Sequence, residues 1–171
     1  MNTATLTVRN YRQTLGGSEF RIMRMQDCPT PYAAQTLDTP QRVNDYLRLM
    51  LSSSLAYRPD VENFGVVFLS TRCKTIGCEI ISNGTLDTVL VHAREVFKPA
   101  IIVNASSIVL FHNHPSGDPT PSEADIRFTR ELISAGKILR IEVRDHIILG
   151  QPSPERSRDY VSLRELGYFY S

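Results

Sequence analysis

Several features of secreted, membrane-spanning and nucleic-acid-binding chains are missing from this sequence. It has no run of about 18 apolar residues, which excludes a membrane-spanning helix of ordinary length. Residues 1–30 contain no apolar core of a signal peptide, so we expect no secretion signal. Lys and Arg total 19 and Asp and Glu total 18, so the chain as a whole lacks the basic footprint of a nucleic-acid-binding protein.

Cysteine is also scarce, with only Cys28, Cys73 and Cys78 present and no C-x-x-C pair among them. An odd, widely spaced set argues against a disulfide scaffold and favours a reducing compartment, for which we expect the cytoplasm. No second Cys/His pair stands at zinc-finger spacing from Cys73 and Cys78. We therefore interpret these two as small buried thiols.

What the sequence does contain is typical of one globular unit. Its 171 residues, of which 42% are hydrophobic, are enough to bury a core. Residues 1–37 are weakly patterned, although Leu6 and Val8 alternate with polar residues as in an edge strand. We expect residues 1–37 to be an N-terminal extension and residues 38–171 to form the domain.

Helical and strand patterns alternate beyond residue 38. Thr39 and Pro40 suit the N-cap and first position of a helix, and Gly136 suits the position after a later one. The other predicted elements are strands over 64–69, 75–82 and 86–91, a helix over 93–104 with Val96, Phe97, Ala100 and Ile101 inward, a strand over 107–111, a helix over 122–135, strands over 138–143 and 147–149, and a short helix over 162–166. This mixture predicts an α/β fold, bordering on α+β, with a mixed sheet.

The chemistry of the sequence is concentrated between His112 and Asp125. His112 and His114 end a predicted buried strand, where side chains two positions apart share a face, so both imidazoles can reach one metal at about 2.0 Å. Asp125 lies on the inward stripe of the next helix, and a carboxylate facing the core needs a partner such as a metal cation. Two neutral histidines and one carboxylate leave one tetrahedral position open, which is typical of a catalytic zinc.

Other interpretations of these residues compete with metal binding. Ser122-x-x-Asp125 resembles a capping box, in which the acid serves only the helix. For His92 and His146 a structural role is favoured, with orientation of a ligand as the alternative for His146. The amide of Asn113 is expected to tie down the loop, and Ser116 and Asp118 are expected to brace it.

At these residues the chain resembles the JAB/MPN metalloproteases, whose motif is Glu … His-x-His-x(7)-Ser-x-x-Asp. His112, His114, Ser122 and Asp125 match it without a gap. The string His-Asn-His-Pro-Ser-Gly is similar to the bacterial RadC branch of that family. So are three further segments, over 93–97, 145–148 and 162–167. The resemblance covers roughly residues 40–167.

The resemblance implies a cytidine-deaminase-like three-layer sandwich with one catalytic zinc per chain, held by His112, His114 and Asp125. It implies that Glu62, just before the first core strand, is the acid/base, and that Ser122 helps stabilise the oxyanion. From the residues alone Glu95 competes with Glu62, with interaction with a helix dipole as its other role. The implied reaction is hydrolysis of a peptide or isopeptide bond in a protein or peptide substrate, with a ubiquitin-like modifier as one candidate.

Two alternatives to a hydrolase remain open. One is a metal-bound protein-recognition module without turnover, which the complete ligand set disfavours. The other is a DNA-repair-associated role, as the RadC resemblance suggests. Residues 1–55 show no helix-hairpin-helix pair, so we expect a short, stand-alone relative. Acidic residues also interleave with the basic residues Arg127, Arg130, Lys137, Arg140 and Arg144. We therefore expect neither a nucleic acid nor a membrane as partner.

Overall fold

A computed structural model describes residues 35–84, 91–154 and 156–170. Three helices lie in these ranges: α1 (Pro40–Ser53), α2 (Ala93–Ile102) and α3 (Glu123–Leu139). The strands are β1 (Asn63–Leu69), β2 (Thr75–Asn83), β3 (Ser107–Asn113), β4 (Glu142–Leu149) and β5 (Tyr160–Ser162). None of these helices is long and apolar enough to cross a membrane.

The five strands form one mixed sheet in the order β2-β1-β3-β4-β5. β3 and β4 run parallel and are connected through α3, whereas the other neighbouring pairs are antiparallel. Every residue of β1 and β3 is buried, as expected for central strands that are covered on both faces.

The core is divided by the sheet into two layers. Val67 and Leu69 of β1 pack with residues of α1 on one face, whereas Phe64 and Val66 pack with residues of α2 and α3 on the other. Alternate side chains of a strand point to opposite faces, so a single strand supplies both layers. Helices on both sides of a mixed sheet confirm the predicted α/β class and three-layer arrangement.

The C-terminal end of α3 differs from the prediction. Gly136 lies inside the helix, and the left-handed residue that ends the helix is Arg140, with φ 58°. A Cβ on Gly136 would lie 2.5 Å from the carbonyl oxygen of Ile141, so glycine is needed for close packing and not for a turn. The two predicted strands over 138–149 are accordingly one strand, β4, preceded by the last turn of the helix.

Smaller corrections concern Ile101, the C-terminal segment and the cysteines. Ile101 is 56% exposed because it lies at the edge of the stripe formed by its buried neighbours on α2. Residues 163–169 form hydrogen-bonded turns and no helix, with Gly167 at φ 89°. Cys73 and Cys78 are partly exposed, not buried.

Three predictions concern residues outside those that the structure describes. They are the edge strand at Leu6 and Val8, the position of Cys28, and the strand over 86–91, of which only Val91 is described.

Candidate metal centre

The sheet topology brings the motif residues to one end of β3. β1 runs antiparallel to β3 with Phe64 opposite His112, so Glu62, two residues earlier, lies beside the end of β3. The chain leaves β3 at His114, and α3 then begins after Ser122, with Asp125 buried in its first turn. Residues about fifty positions apart in sequence therefore meet at this edge.

Glu62, His112, His114 and Asp125 each direct one ligand-capable atom to a common point, and these atoms all lie within 4.8 Å of one another. The Nε2 atoms of His112 and His114 are 3.0 Å apart. His112 Nε2 lies 3.4 Å from Asp125 Oδ1, and His114 Nε2 lies 3.8 Å from Asp125 Oδ2. His112 Nε2 is 3.9 Å from Glu62 Oε1.

This donor set fits a zinc ion. Ligand atoms about 2.0–2.1 Å from a tetrahedral zinc lie about 3.3 Å from one another. The distances of 3.0 Å from His112 Nε2 to His114 Nε2 and of 3.4 Å to Asp125 Oδ1 bracket that value. The distances of 3.8 Å from His114 to Asp125 Oδ2 and of 3.9 Å from His112 to Glu62 are both wider. Imidazole nitrogen and carboxylate oxygen are also donors that zinc accepts.

The centre is dry on one side and open on the other. The side chain of His112 is fully buried and that of Asp125 is 9% exposed, whereas His114 is 18% and Glu62 is 23% exposed. Burial lowers the pKa of His112 to about 4, while the Asp125 carboxylate opposes this shift and His114 adds to it. His112 is therefore neutral at physiological pH, as metal ligation requires.

A family model for the RadC-like JAB domain matches residues 37–168. The chain belongs to this family. Over 108 residues it is 52% identical to UPF0758 proteins of Caldanaerobacter subterraneus subsp. tengcongensis and Desulfitobacterium hafniense, which covers 63% of this chain in each case. Over 91 residues, 53% of this chain, it is 54% identical to a UPF0758 protein of Moorella thermoacetica. The matches span only 44%, 45% and 40% of these relatives, respectively.

In this RadC-like JAB domain the capping box and the candidate metal centre share Asp125. The backbone N–H and the hydroxyl of Ser122 donate to Asp125 Oδ2 at 2.7 and 2.6 Å, and the hydroxyl accepts from the Asp125 N–H at 3.1 Å. Oδ1 meanwhile faces His112. The two interpretations of Ser122-x-x-Asp125 are therefore compatible, because the cap uses Oδ2, which lies 3.8 Å from His114, and leaves Oδ1 beside His112.

Glu95, the competing acid, lies in the first turn of α2 and is not part of the four-residue group. Its Oε2 accepts the backbone N–H of His92, which closes a capping box, and its Oε1 lies 3.5 Å from Arg94. Glu95 therefore has the helix-terminal role considered for it, and His92 has a structural role as the N-cap of α2. Glu62 is the acid that lies beside the histidines.

The loop after β3 is held in the conformation that aims His114. The Nδ1–H of His114 donates to the carbonyl of Asp118 at 2.6 Å, and Gly117 adopts φ 81°, a region that favours glycine. Asp118 accepts from the backbone N–H and hydroxyl of Thr120 and pairs with Arg156 at 3.1 Å. Asp118 thus braces the loop as predicted, and Ser116 assists by accepting its N–H.

Asn113, between the two histidines, has a role that local patterns did not reveal. It points away from the centre, accepts the backbone N–H of Asn63 at 2.9 Å and donates to the carbonyl of Val61 at 3.0 Å. The buried amide therefore anchors the backbone on both sides of Glu62, and not the loop that follows. Nothing local to Asn113 could reveal a partner fifty residues earlier.

His146 is a second residue whose contacts exceed the sequence prediction. It is 1% exposed, and its Nε2 lies 2.8 Å from Nδ1 of His112. Its other nitrogen lies 2.6 Å from the hydroxyl of Thr129. Burial lowers the pKa of His146 well below its ordinary value, so this ring too is neutral at physiological pH. The less favoured alternative, that His146 orients a ligand, therefore has contacts that support it.

Three of the basic side chains lie at the opposite end of the sheet. Lys137, Arg140 and Arg144 line a cleft of about 560 Å³, and Arg144 pairs with Glu142. Glu142 is opposite Ser107 at the start of β3, whereas His112 lies near its end. These cations therefore take no part in the candidate metal centre.

Proposed function

We propose that this RadC-like JAB domain is a zinc-dependent hydrolase of peptide or isopeptide bonds. The observation that supports it most directly is the convergence of Glu62, His112, His114 and Asp125 at a partly open end of the sheet. Structural zinc sites close all four positions with protein ligands, usually cysteine and histidine. Here three well-spaced ligands and a more exposed acid match a catalytic arrangement.

In this proposal His112, His114 and Asp125 hold one zinc ion per chain. A zinc ion bound there would act as a Lewis acid and would lower the pKa of water to about 7. Glu62 is the most exposed of the four side chains, so its carboxylate would take up a proton on the exposed side of the site and return it to the leaving amine.

Ser122 is proposed to donate a hydrogen bond to the oxyanion. Its hydroxyl donates to Asp125 Oδ2 in the structure, so this role requires the hydroxyl to turn away from the carboxylate. Binding of a cation by Asp125 would lower the negative charge on the carboxylate and so would weaken its hydrogen bond with the hydroxyl. Removing one oxyanion donor typically costs about 2.7–4 kcal/mol of transition-state stabilisation.

The proposed substrate is a protein or peptide, with an isopeptide-linked ubiquitin-like modifier as one candidate class. The cysteine pattern supports a reducing compartment, and we propose the cytoplasm as the place of action.

The proposal is tested with a library of fluorogenic peptides and lysine-linked isopeptides. The zinc-loaded wild type should cleave at least one member, and Glu62→Gln should lower kcat by about 10²–10⁴-fold while it still binds zinc. Glu95→Gln makes the same chemical change at an acid outside the centre and should keep wild-type activity.

A zinc-loaded wild type that cleaves no member of the library would contradict the hydrolase proposal and support the recognition module. Equal loss of activity in Glu62→Gln and Glu95→Gln would contradict the assignment of Glu62.

A further inference from the structure

A buried chain of hydrogen bonds leads from the candidate metal centre into the core. It runs from His112 on β3 to His146 on β4 and then to Thr129 on α3. Thr129 closes it by donating to the backbone carbonyl of Asp125, one helical turn earlier, at 2.6 Å. His112 and Thr129 are fully buried and His146 is 1% exposed, so water does not compete for these groups.

The hydrogen bond from Thr129 to Asp125 determines which atom donates in each of the other hydrogen bonds. A carbonyl oxygen can only accept, and the Thr129 hydroxyl has one hydrogen, so that hydrogen points to Asp125. Toward His146 the hydroxyl can then only accept, so Nδ1 of His146 must have the hydrogen. In a neutral imidazole the other nitrogen, Nε2, is then a bare acceptor.

The hydrogen-bond directions extend from His146 into the candidate metal centre. Since Nε2 of His146 accepts, Nδ1 of His112 must donate, and the lone pair of His112 lies on Nε2, which faces the centre. His114 reaches the same state independently, because its Nδ1 donates to the carbonyl of Asp118. Two nitrogen lone pairs then face each other 3.0 Å apart with no hydrogen between them. Such a pair is repulsive unless a cation lies between them.

We propose that Thr129 and His146 are positioning residues that hold His112 in its metal-binding tautomer. The inference rests on the proposed metal centre and adds to it two residues outside the Glu-His-His-Ser-Asp motif. We call this series of hydrogen bonds from His112 through His146 and Thr129 to Asp125 the relay. The relay connects two proposed ligands that lie on different elements, Asp125 on α3 and His112 on β3. Partners that hydrogen-bond metal-ligating histidines typically contribute about 10–100-fold to metal affinity.

Two variants of Thr129 separate the relay from simple packing. Thr129→Val keeps the shape and removes the hydroxyl, whereas Thr129→Ser keeps the hydroxyl and removes a methyl group. The relay predicts that Thr129→Val lowers zinc affinity about 10-fold or more while Thr129→Ser stays near wild type, as measured by competition with a chromophoric chelator. A packing role alone predicts the reverse order. That order, or equal affinity in all three proteins, would overturn the proposal.

A second measurement reports the tautomer without any metal. Long-range ¹H–¹⁵N correlation spectra of the chelator-treated protein should show Nδ1–H tautomers for His112 and His146 in the wild type and in Thr129→Ser. Thr129→Val should show a mixture. An Nε2–H tautomer of His112 in the wild type would overturn the relay. A wild type that binds no zinc but shows the expected tautomers would instead contradict the proposed function alone.

Discussion

The first turns of α2 and α3 use the same capping pattern in different surroundings. In both, the third helical residue is an acid that accepts the backbone N–H of the N-cap: Glu95 from His92 at 2.5 Å and Asp125 from Ser122 at 2.7 Å. The side chain of Glu95 is 40% exposed and lies beside Arg94, whereas that of Asp125 is 9% exposed and faces two imidazoles. The capping pattern itself therefore does not predict metal binding. What distinguishes Asp125 is its position beside the end of β3, where the two histidines lie.

The largest expected effect comes from replacing the carboxylate by an amide at each of the two acids. Asp125→Asn removes a charged ligand but leaves an oxygen that can still cap the helix, so zinc affinity should fall by more than about 100-fold, beyond the usual cost of losing a supporting partner. Glu95→Gln should leave zinc affinity unchanged, because Glu95 is outside the centre. Isothermal titration of zinc into both chelator-treated variants makes the comparison. Similar zinc affinities for the two variants would contradict the proposal that Asp125, unlike Glu95, is a zinc ligand.

The second prediction concerns the pH dependence of the metal-free protein. Burial lowers the pKa of His112 to about 4 and that of His146 well below 6.5, whereas in the unfolded chain both groups titrate near 6.5. Below that pH the unfolded state takes up protons that the folded state does not. The contribution of these histidines to the free energy of unfolding should thus be complete above about pH 6.5. As the pH falls from there toward 4, the free energy of unfolding should decrease by up to about 1.4 kcal/mol per pH unit for each histidine.

Urea unfolding of the chelator-treated protein between pH 7.5 and 4.5 measures this slope. His146→Gln removes one of the two protons and should reduce the slope by about half. A free energy of unfolding that does not change with pH over this range would contradict the conclusion that His112 and His146 are buried and neutral in the folded protein.

The smallest expected effect concerns the caps themselves. Ser122→Ala removes a side-chain oxygen that accepts the Asp125 N–H and should lower the stability of the metal-free protein by about 1 kcal/mol. Glu95→Gln alters an exposed acid at a helix N-terminus and should cost only about 0.3–1 kcal/mol. Thermal unfolding of the two variants at pH 7.5 provides the test. A larger loss for Glu95→Gln would show that the exposed cap stabilises its helix more than the buried one.

How far the sequence predicts the site depends on how local each relationship is. The shared face of His112 and His114 follows from the two-residue period of a strand, and the inward position of Asp125 follows from the helical stripe. Glu62 lies fifty residues earlier, so its position beside His112 depends on the pairing of β1 with β3, and only the family resemblance pointed to it.

The relay depends on strand pairing that local sequence patterns do not predict. His146 reaches His112 because β4 pairs with β3 and His146 stands opposite Leu110, on the same face as His112. The spacing of residues within either strand does not predict how the two strands are aligned with each other. Gly136 shows a different limit, since glycine ends helices by its left-handed conformation and also allows close backbone approach. Only the position of Ile141 distinguishes the two uses.

The most direct test of the account is the zinc content of protein purified without chelator, measured by plasma mass spectrometry beside His114→Ala. The proposed metal centre predicts about one zinc per chain in the wild type and almost none in the variant, since a three-residue site that loses a histidine no longer has its ligand set. A wild type that contains no zinc and takes up none when zinc is added would contradict it. The convergence of His112, His114 and Asp125 would then be a structural feature alone.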